Sequence, residues 1–202
     1  MRKYFLTLFM LLALLPFSKA NAIKPATQTA TFGMGCFWCS EAIFTRLKGV
    51  VKVESGFSGG TVPNPSYEQV CTGRTGHAEV VNVEYNPAVI SYADLLEVFW
   101  KMHDPTTLNR QGEDEGTQYR SVIFYHTPEQ KAEAEKYKAE LNRQKVYANP
   151  IVTQIVPFKA FYKAEDYHQS YFALNGKQPY CRLVIQPKVD KLEQVFKNKL
   201  KN

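Results

Sequence analysis

The side chains best suited to covalent chemistry in this 202-residue sequence are four cysteines, Cys36, Cys39, Cys71 and Cys181. Cys36 follows the Gly-punctuated segment 29–35 and precedes a stretch in which Ile43, Phe44 and Leu47 recur at helical spacing, so it belongs where a strand hands over to a helix. A thiol at such a junction has backbone N–H groups aimed at its sulfur and the positive end of the helix beside it. Both favour the thiolate and make Cys36 a candidate nucleophile. The Cys36-Phe37-Trp38-Cys39 spacing equally suits a structural disulfide or half of a zinc site. Zinc is the weaker reading, because Cys71 and His77 would have to complete it at a Cys-x₅-His spacing that is not a familiar ligand pattern.

Glu79 is the second clue. On a strand over 77–85 it shares its face with Val81, Val83 and Tyr85 rather than with Asn82 and Glu84. A carboxylate among core residues is held protonated by desolvation and can act as a general acid; a strand-end glutamate reaching water past His77 is the plainer alternative. The segment from Gly112 to Tyr119, with two glycines, three acids and a tyrosine, is either a polar loop presented at a strand end or simply an acidic turn. Phe37 and Trp38 stand ready to line an apolar pocket beside Cys36 or to pack in the core. Cys71 reads as a small buried hydrophobe.

The elements that position these residues follow from hydrophobic period and end signals. Strands are predicted over 29–35, 50–57, 77–85 and 119–125, with a Gly/Pro/Asn-rich loop over 58–66. A helix follows Cys36 and stops at Lys48-Gly49. A second is capped by Ser91 with Asp94 and runs to Met102; a third starts at Thr127-Pro128 and runs to about residue 145. Strand, helix, strand, strand, helix, strand is the split β-α-β order of a ferredoxin-like α+β domain with a mixed sheet. A loop-rich C-terminal extension would add a strand over 151–156, a short helix over 164–174 and a segment over 180–185 that brings Cys181 near the sheet.

Composition narrows the function classes. A chain of this length with 45% hydrophobic residues supports one well-buried domain, and no repeat or linker divides it. Residues 1–22 have the layout of a secretory signal peptide: Arg2 and Lys3, an apolar run from Tyr4 to Phe17, then Ala20-Asn21-Ala22. The run is short for a permanent span, which needs about 20 residues. The mature part, 23–202, is therefore expected to be one soluble catalytic domain without stable membrane insertion, periplasmic or secreted and monomeric. Losing Arg2, Lys3 and Lys19 lowers the formal charge from +6 to +3, too mild to point to nucleic acid. All four cysteines lie in the mature part, where an oxidising compartment permits disulfides.

Several spaced blocks in this sequence are recognisable. Gly35-Cys36-Phe37-Trp38-Cys39, Gly73-Arg74-Thr75-Gly76-His77-Ala78-Glu79 and the run from Gly112 to Arg120 resemble the A-type peptide-methionine sulfoxide reductases. So do Asn64-Pro65-Ser66-Tyr67, Phe99-Trp100, His103-Asp104-Pro105, Tyr167-His168-Gln169 and Tyr180-Cys181, so the similarity covers nearly the whole mature chain. The resemblance implies a thiol-dependent reductase of the S form of methionine sulfoxide, with no cofactor and no metal. In it Cys36 attacks the sulfoxide sulfur, Glu79 protonates the departing oxygen, Tyr67 and Tyr119 hydrogen-bond that oxygen, and Asp114 orients the polar end of the site. Phe37 and Trp38 hold the substrate methyl.

Cys36 is then left as a sulfenic acid that condenses with a second thiol, and a thioredoxin-like donor reduces the disulfide. Relatives with a Tyr-Cys pair near the C-terminus resolve with that thiol, here Cys181. Cys39 stands where many relatives carry glycine. Cys181 is favoured as resolver because Cys36 and Cys39 share one helical turn, whereas a flexible C-terminal segment approaches more freely; Cys39 would take the disulfide onward. Two other classes fit the cysteines alone. A general disulfide oxidoreductase would use Cys36 and Cys39 on insulin-type disulfides, and a non-catalytic exported binding module would carry two stable disulfides.

Overall fold

The computed structural model describes residues 26–201; the expected signal peptide lies outside them. The chain begins with β1 (Gln28–Met34), α1 (Phe37–Phe44), β2 (Val50–Ser58), a short α2 (Tyr67–Cys71), β3 (Ala78–Tyr85) and α3 (Tyr92–Met102). A small hairpin, β4 (Arg110–Gln111) with β5 (Asp114–Glu115), precedes β6 (Ser121–Tyr125), α4 (Pro128–Arg143), β7 (Gln154–Pro157), β8 (Tyr162–Lys163), α5 (Tyr171–Asn175) and α6 (Gln186–Val195). The main sheet has the order β7-β6-β1-β3-β2-β8. Its central β6-β1-β3-β2 portion is antiparallel and carries the expected ferredoxin-like order, while β7 adds parallel to β6 and makes the sheet mixed.

Alternation along the strands sorts residues between the two faces of this sheet. Ala30, Phe32 and Met34 of β1, Val81, Val83 and Tyr85 of β3, Phe57 of β2 and Ile123 of β6 form one core with Phe44, Leu95, Phe99 and Trp100 of the helices. The opposite face gathers Ala78, Val80, Val122 and Phe124 beneath Val156, Phe158 and Phe161. Phe32 stacks on Phe44 and lies 5.3 Å from Phe99, tying α1 and α3 to the central strand. Seven of the eight α1 residues are buried, so this helix is central rather than amphipathic, and its apolar spacing understated its burial.

End signals act as the sequence suggests. Ser91 and Asp94 form a full capping box on α3, and Thr127 accepts from the Gln130 N–H with Pro128 opening α4. A second capping box, Ser66 with Gln69, starts α2, which lies in a region read only as loop and connection. His103 is buried and joins α3 to β6. Its Nδ1–H donates to the Phe99 carbonyl at 2.6 Å and its Nε2 accepts from the Ser121 hydroxyl at 2.7 Å.

Three expectations need correction. The strand predicted over 119–125 begins at Ser121, because Thr117–Tyr119 winds into a 3₁₀ turn after Gly116. The single helix expected over 164–174 is broken into a turn, Asp166–His168, and α5, since Ser170 adopts φ +53° between them. The C-terminal extension is loop-rich only as far as Ser170. Beyond it a π-helical turn, Cys181–Ile185, runs directly into α6, whose Val189 and Leu192 are buried with Phe196. Cys181 therefore sits in a buried helical turn and not on a free segment.

Candidate active site

Cys36 caps the N-terminus of α1, immediately after Gly35. Gly35 has φ +90°, and a Cβ there would stand 2.6 Å from Gln111, so glycine is what allows the chain to turn from β1 into the helix at this point. Glu79, at the end of β3 beside this turn, is 1% exposed and accepts the Phe37 backbone N–H at 2.9 Å. Its face is the core face, as the strand period indicates. Burial pushes its carboxyl up to about 8 against the pull of the Phe37 hydrogen bond, with the Asp114 and Cys39 charges adding to the rise. The carboxyl is therefore neutral at pH 7, which excludes the alternative of a solvated strand-end glutamate.

Two tyrosines complete the polar side. Tyr67 opens α2 and Tyr119 closes the 3₁₀ turn; burial first, then the Glu79 charge among other effects, raises both phenols far above their ordinary range, so each remains a neutral O–H donor. Asp114, on the hairpin strand β5, accepts the Tyr180 hydroxyl at 3.1 Å, so the acidic turn is anchored to the C-terminal segment.

The apolar side is a box of rings. Phe37 lies 6.3 Å from Tyr67 and 5.0 Å from His168, centroid to centroid. Trp38 stacks flat on Tyr171 at 3.7 Å, and Tyr180 stands edge-on to it at 5.8 Å. The Trp38 indole N–H donates to His168 Nδ1 at 3.1 Å, which requires the neutral ring to carry its hydrogen on Nε2, facing the Glu165 carboxylate at 3.8 Å. Glu165 also accepts the Tyr67 backbone N–H at 3.0 Å. His168, Glu165, Tyr171 and Tyr180 thus belong to the site. The Tyr167-His168-Gln169 and Tyr180-Cys181 blocks marked part of this wall, but nothing in residue type or period assigned it a place. Glu41 of α1, buried inside its own helix, accepts the Ser170 and Tyr171 N–H groups at 2.8 and 3.3 Å and fixes that wall to α1.

The thiols divide into two groups. Cys36, Cys39 and Cys181 are all buried and pack in one cluster with Ala42, Ile185 and Val189. Cys71, expected to be buried, is exposed at the end of α2, because that short helix buries only Val70. Among the described residues no group of three or more His, Cys, Asp or Glu side chains is placed to hold a metal ion.

The expected stabilisation of a Cys36 thiolate is overturned. Burial pushes the Cys36 thiol well above its ordinary range, and its hydrogen bond to Cys39 and the Glu79 charge push the same way, outweighing the helix N-terminus. The negative charge of the pair settles instead on Cys39, held at about 7 by the hydrogen bond from Cys36 and by Lys188 of α6, whose ammonium donates to Cys39 Sγ at 3.4 Å.

The chain as a whole is similar to proteins of one known family. The family model described as peptide methionine sulfoxide reductase matches residues 28–200. This chain belongs to that family. The peptide methionine sulfoxide reductase MsrA of Sulfolobus acidocaldarius is 54% identical over 176 residues, which are 85% of this chain and 97% of that protein. The crystal structure of reduced Mxr1 from Saccharomyces cerevisiae superposes with a TM-score of 0.70 at 38% identity, covering 80% of this chain and 94% of that one. Mxr1 in complex with Trx2 superposes with a TM-score of 0.51 at 30% identity over 75% of this chain and 91% of that chain. The ferredoxin-like α+β architecture of this chain is the one these reductases share.

Proposed function

We propose that the chain reduces the S form of methionine sulfoxide, free or within oxidised proteins, to methionine, with electrons from a thioredoxin-like dithiol. Cys36 Sγ attacks the sulfoxide sulfur, its thiol proton passing to the neighbouring Cys39 thiolate, while the neutral Glu79 carboxyl protonates the sulfoxide oxygen. Tyr67 and Tyr119 donate hydrogen bonds to that oxygen, and Asp114 orients the polar end through Tyr180. Phe37 and Trp38, the latter pinned by Tyr171 and His168, receive the methyl group. One apolar wall opposite fixed donors binds one sulfoxide epimer in the reactive pose and turns the other away.

The Met S–O bond breaks as the oxygen passes to Cys36 Sγ, so methionine departs and Cys36 is left as a sulfenic acid. Condensation with a second thiol expels it as water, and the dithiol donor reduces the resulting disulfide. No cofactor enters. The reading is carried by a protonated carboxyl, buried and bonded to the backbone of the helix that Cys36 caps. The Mxr1 structure with Trx2 supports the choice of donor.

The setting belongs to the same proposal. Residues 1–22 direct export and are removed, leaving 23–202 as a monomeric, single-domain enzyme that repairs oxidised exported proteins in the periplasm or outside the cell. The amino-terminal pattern supports this, and no helix among the described residues is long and apolar enough to cross a membrane. Fractionation with N-terminal sequencing of the exported protein tests it, and an intact Met1 retained with cytoplasm would sink it. For the chemistry, a peptide methionine S-sulfoxide and a dithiol are supplied to the enzyme and to Cys36→Ser. Turnover should vanish in the variant and be negligible on the R epimer; equal turnover by enzyme and variant would overturn the mechanism.

A further inference from the structure

We propose that Lys188 is a positioning residue that makes Cys39, rather than Cys181, the first thiol to condense with oxidised Cys36. The inference rests on the sulfoxide reductase reading, and it concerns only the steps after methionine release.

Cys39 lies one turn along α1 from Cys36, with the Cys39 N–H donating to the Cys36 carbonyl at 3.1 Å, and the two buried thiols pack in one cluster. Lys188 approaches the Cys39 sulfur from α6, next in sequence to Val189, which is buried in the thiol cluster. The nucleophile in a condensation of this kind is the thiolate, so the thiol with an ammonium against it is the one prepared to react. Cys181 has no such partner among the described residues. Burial and the Cys39 charge both push its thiol up.

The other charged or titratable groups around Cys39 are Cys36 on its own helix, Glu79 from β3 and Tyr180 and Cys181 from the C-terminal turn. His103, after α3, faces Lys188 but is buried and held neutral, with its ordinary value lowered to about 4. Lys188 is therefore the cation that acts on Cys39, alongside the hydrogen bond from Cys36.

The step balances. Glu79, left as a carboxylate by the first step, regains a proton from the Cys39 thiol; the Cys39 thiolate attacks the Cys36 sulfenic sulfur, the S–O bond breaks as the Cys36–Cys39 disulfide forms, and the hydroxyl leaves as water with the Glu79 proton. The Cys39 lone pair becomes the S–S bond and the S–O bonding pair leaves with the oxygen, so Cys39 sulfur is oxidised as Cys36 sulfur is reduced. Cys181 then exchanges onto Cys39, releasing Cys36 as a thiolate with no net change in oxidation state, and the thioredoxin-like dithiol supplies the electrons that reset the enzyme.

The test mixes the full mature chain with one equivalent of a peptide methionine S-sulfoxide and no reductant. Acid quenching at successive times is followed by disulfide mapping and by measurement of methionine formed. The expected first disulfide is Cys36–Cys39, with Cys181-containing bridges appearing later. Its rate should rise with pH through a midpoint set by the Cys39 thiol beside Lys188. In Lys188→Met, which keeps the apolar stem, that midpoint should move up by about one pH unit. The thiolate then becomes scarcer at pH 7 but more nucleophilic, so Cys36–Cys39 formation should slow by roughly threefold. Lys188→Arg should restore the wild-type pH profile.

A Cys36–Cys181 bridge preceding Cys36–Cys39 in the wild type would overturn the proposal. So would an unmoved midpoint in Lys188→Met. Absence of methionine in the wild-type reaction is a separate failure, which strikes the sulfoxide reductase reading itself.

Discussion

Two regions meet at the reactive sulfur, and they are built in different ways. The β1–α1–β3 junction holds Cys36 and Glu79 through the backbone of the central sheet: Gly35 makes the turn, and Glu79 is bound to the Phe37 N–H by strand register. The C-terminal segment that carries Tyr171, Tyr180, Cys181 and Lys188 reaches the same sulfur by docking on α1, through Glu41 and the Trp38–Tyr171 stack, and on the β4–β5 hairpin, through the Asp114–Tyr180 hydrogen bond. The first region fixes the chemistry of attack. The second encloses the substrate and sets the fate of the oxidised thiol, and it can loosen without the sheet unfolding.

The sharpest test of that division is Glu79→Gln. It keeps the hydrogen bond from Phe37 but removes the proton donor, so turnover should fall by about 10²–10⁴-fold. Because the acid form is the working form, wild-type chemistry should decline as pH rises through about 8, and that limb should vanish in the variant. Stability should respond to pH in the same sense. The folded carboxyl titrates far above the unfolded value of about 4.3, so its favourable contribution is complete below that pH and is lost as pH rises toward about 8. Glu79→Gln should therefore be more resistant to denaturant than wild type at pH 9.

Phe32→Ala should destabilise the whole domain by about 3–5 kcal/mol, since this ring ties α1 and α3 to β1; a denaturation midpoint measures it. Glu41→Ala should cost less, about 1–3 kcal/mol, and locally, because it strands the Ser170 and Tyr171 N–H groups. Hydrogen exchange should quicken over residues 170–196 and stay unchanged in β1, β3 and β6. A uniform increase would break the distinction between the two regions. Ser91→Ala is the smallest perturbation, roughly 1 kcal/mol from the α3 cap in the common core, and it should lower the midpoint without favouring either region.

Much of the first region was legible because its signals are local. Period-2 alternation put Glu79 on the core face, and Gly35 before an apolar helical stretch put Cys36 at a strand–helix junction. Ser91 with Asp94 and Thr127 with Pro128 marked two helix starts. The second region was misread where locality fails. Ser170 in a left-handed conformation broke the helix expected over 164–174, and Cys181 looked free in sequence but its side chain is buried in a helical turn. Resemblance brought the tyrosines and Asp114 into the site, but neither period nor resemblance pointed to Lys188 or Glu41.

By itself the amino-acid sequence determined the order of the core elements, the thiol at the start of α1 and the carboxyl in the core face of β3, because hydrophobic period and end signals act between near neighbours. Tertiary structure alone decided which thiol of the pair carries charge. Desolvation and the approach of a lysine 149 positions away outweigh the local helix field, and both depend on what the folded chain packs around Cys36 and Cys39.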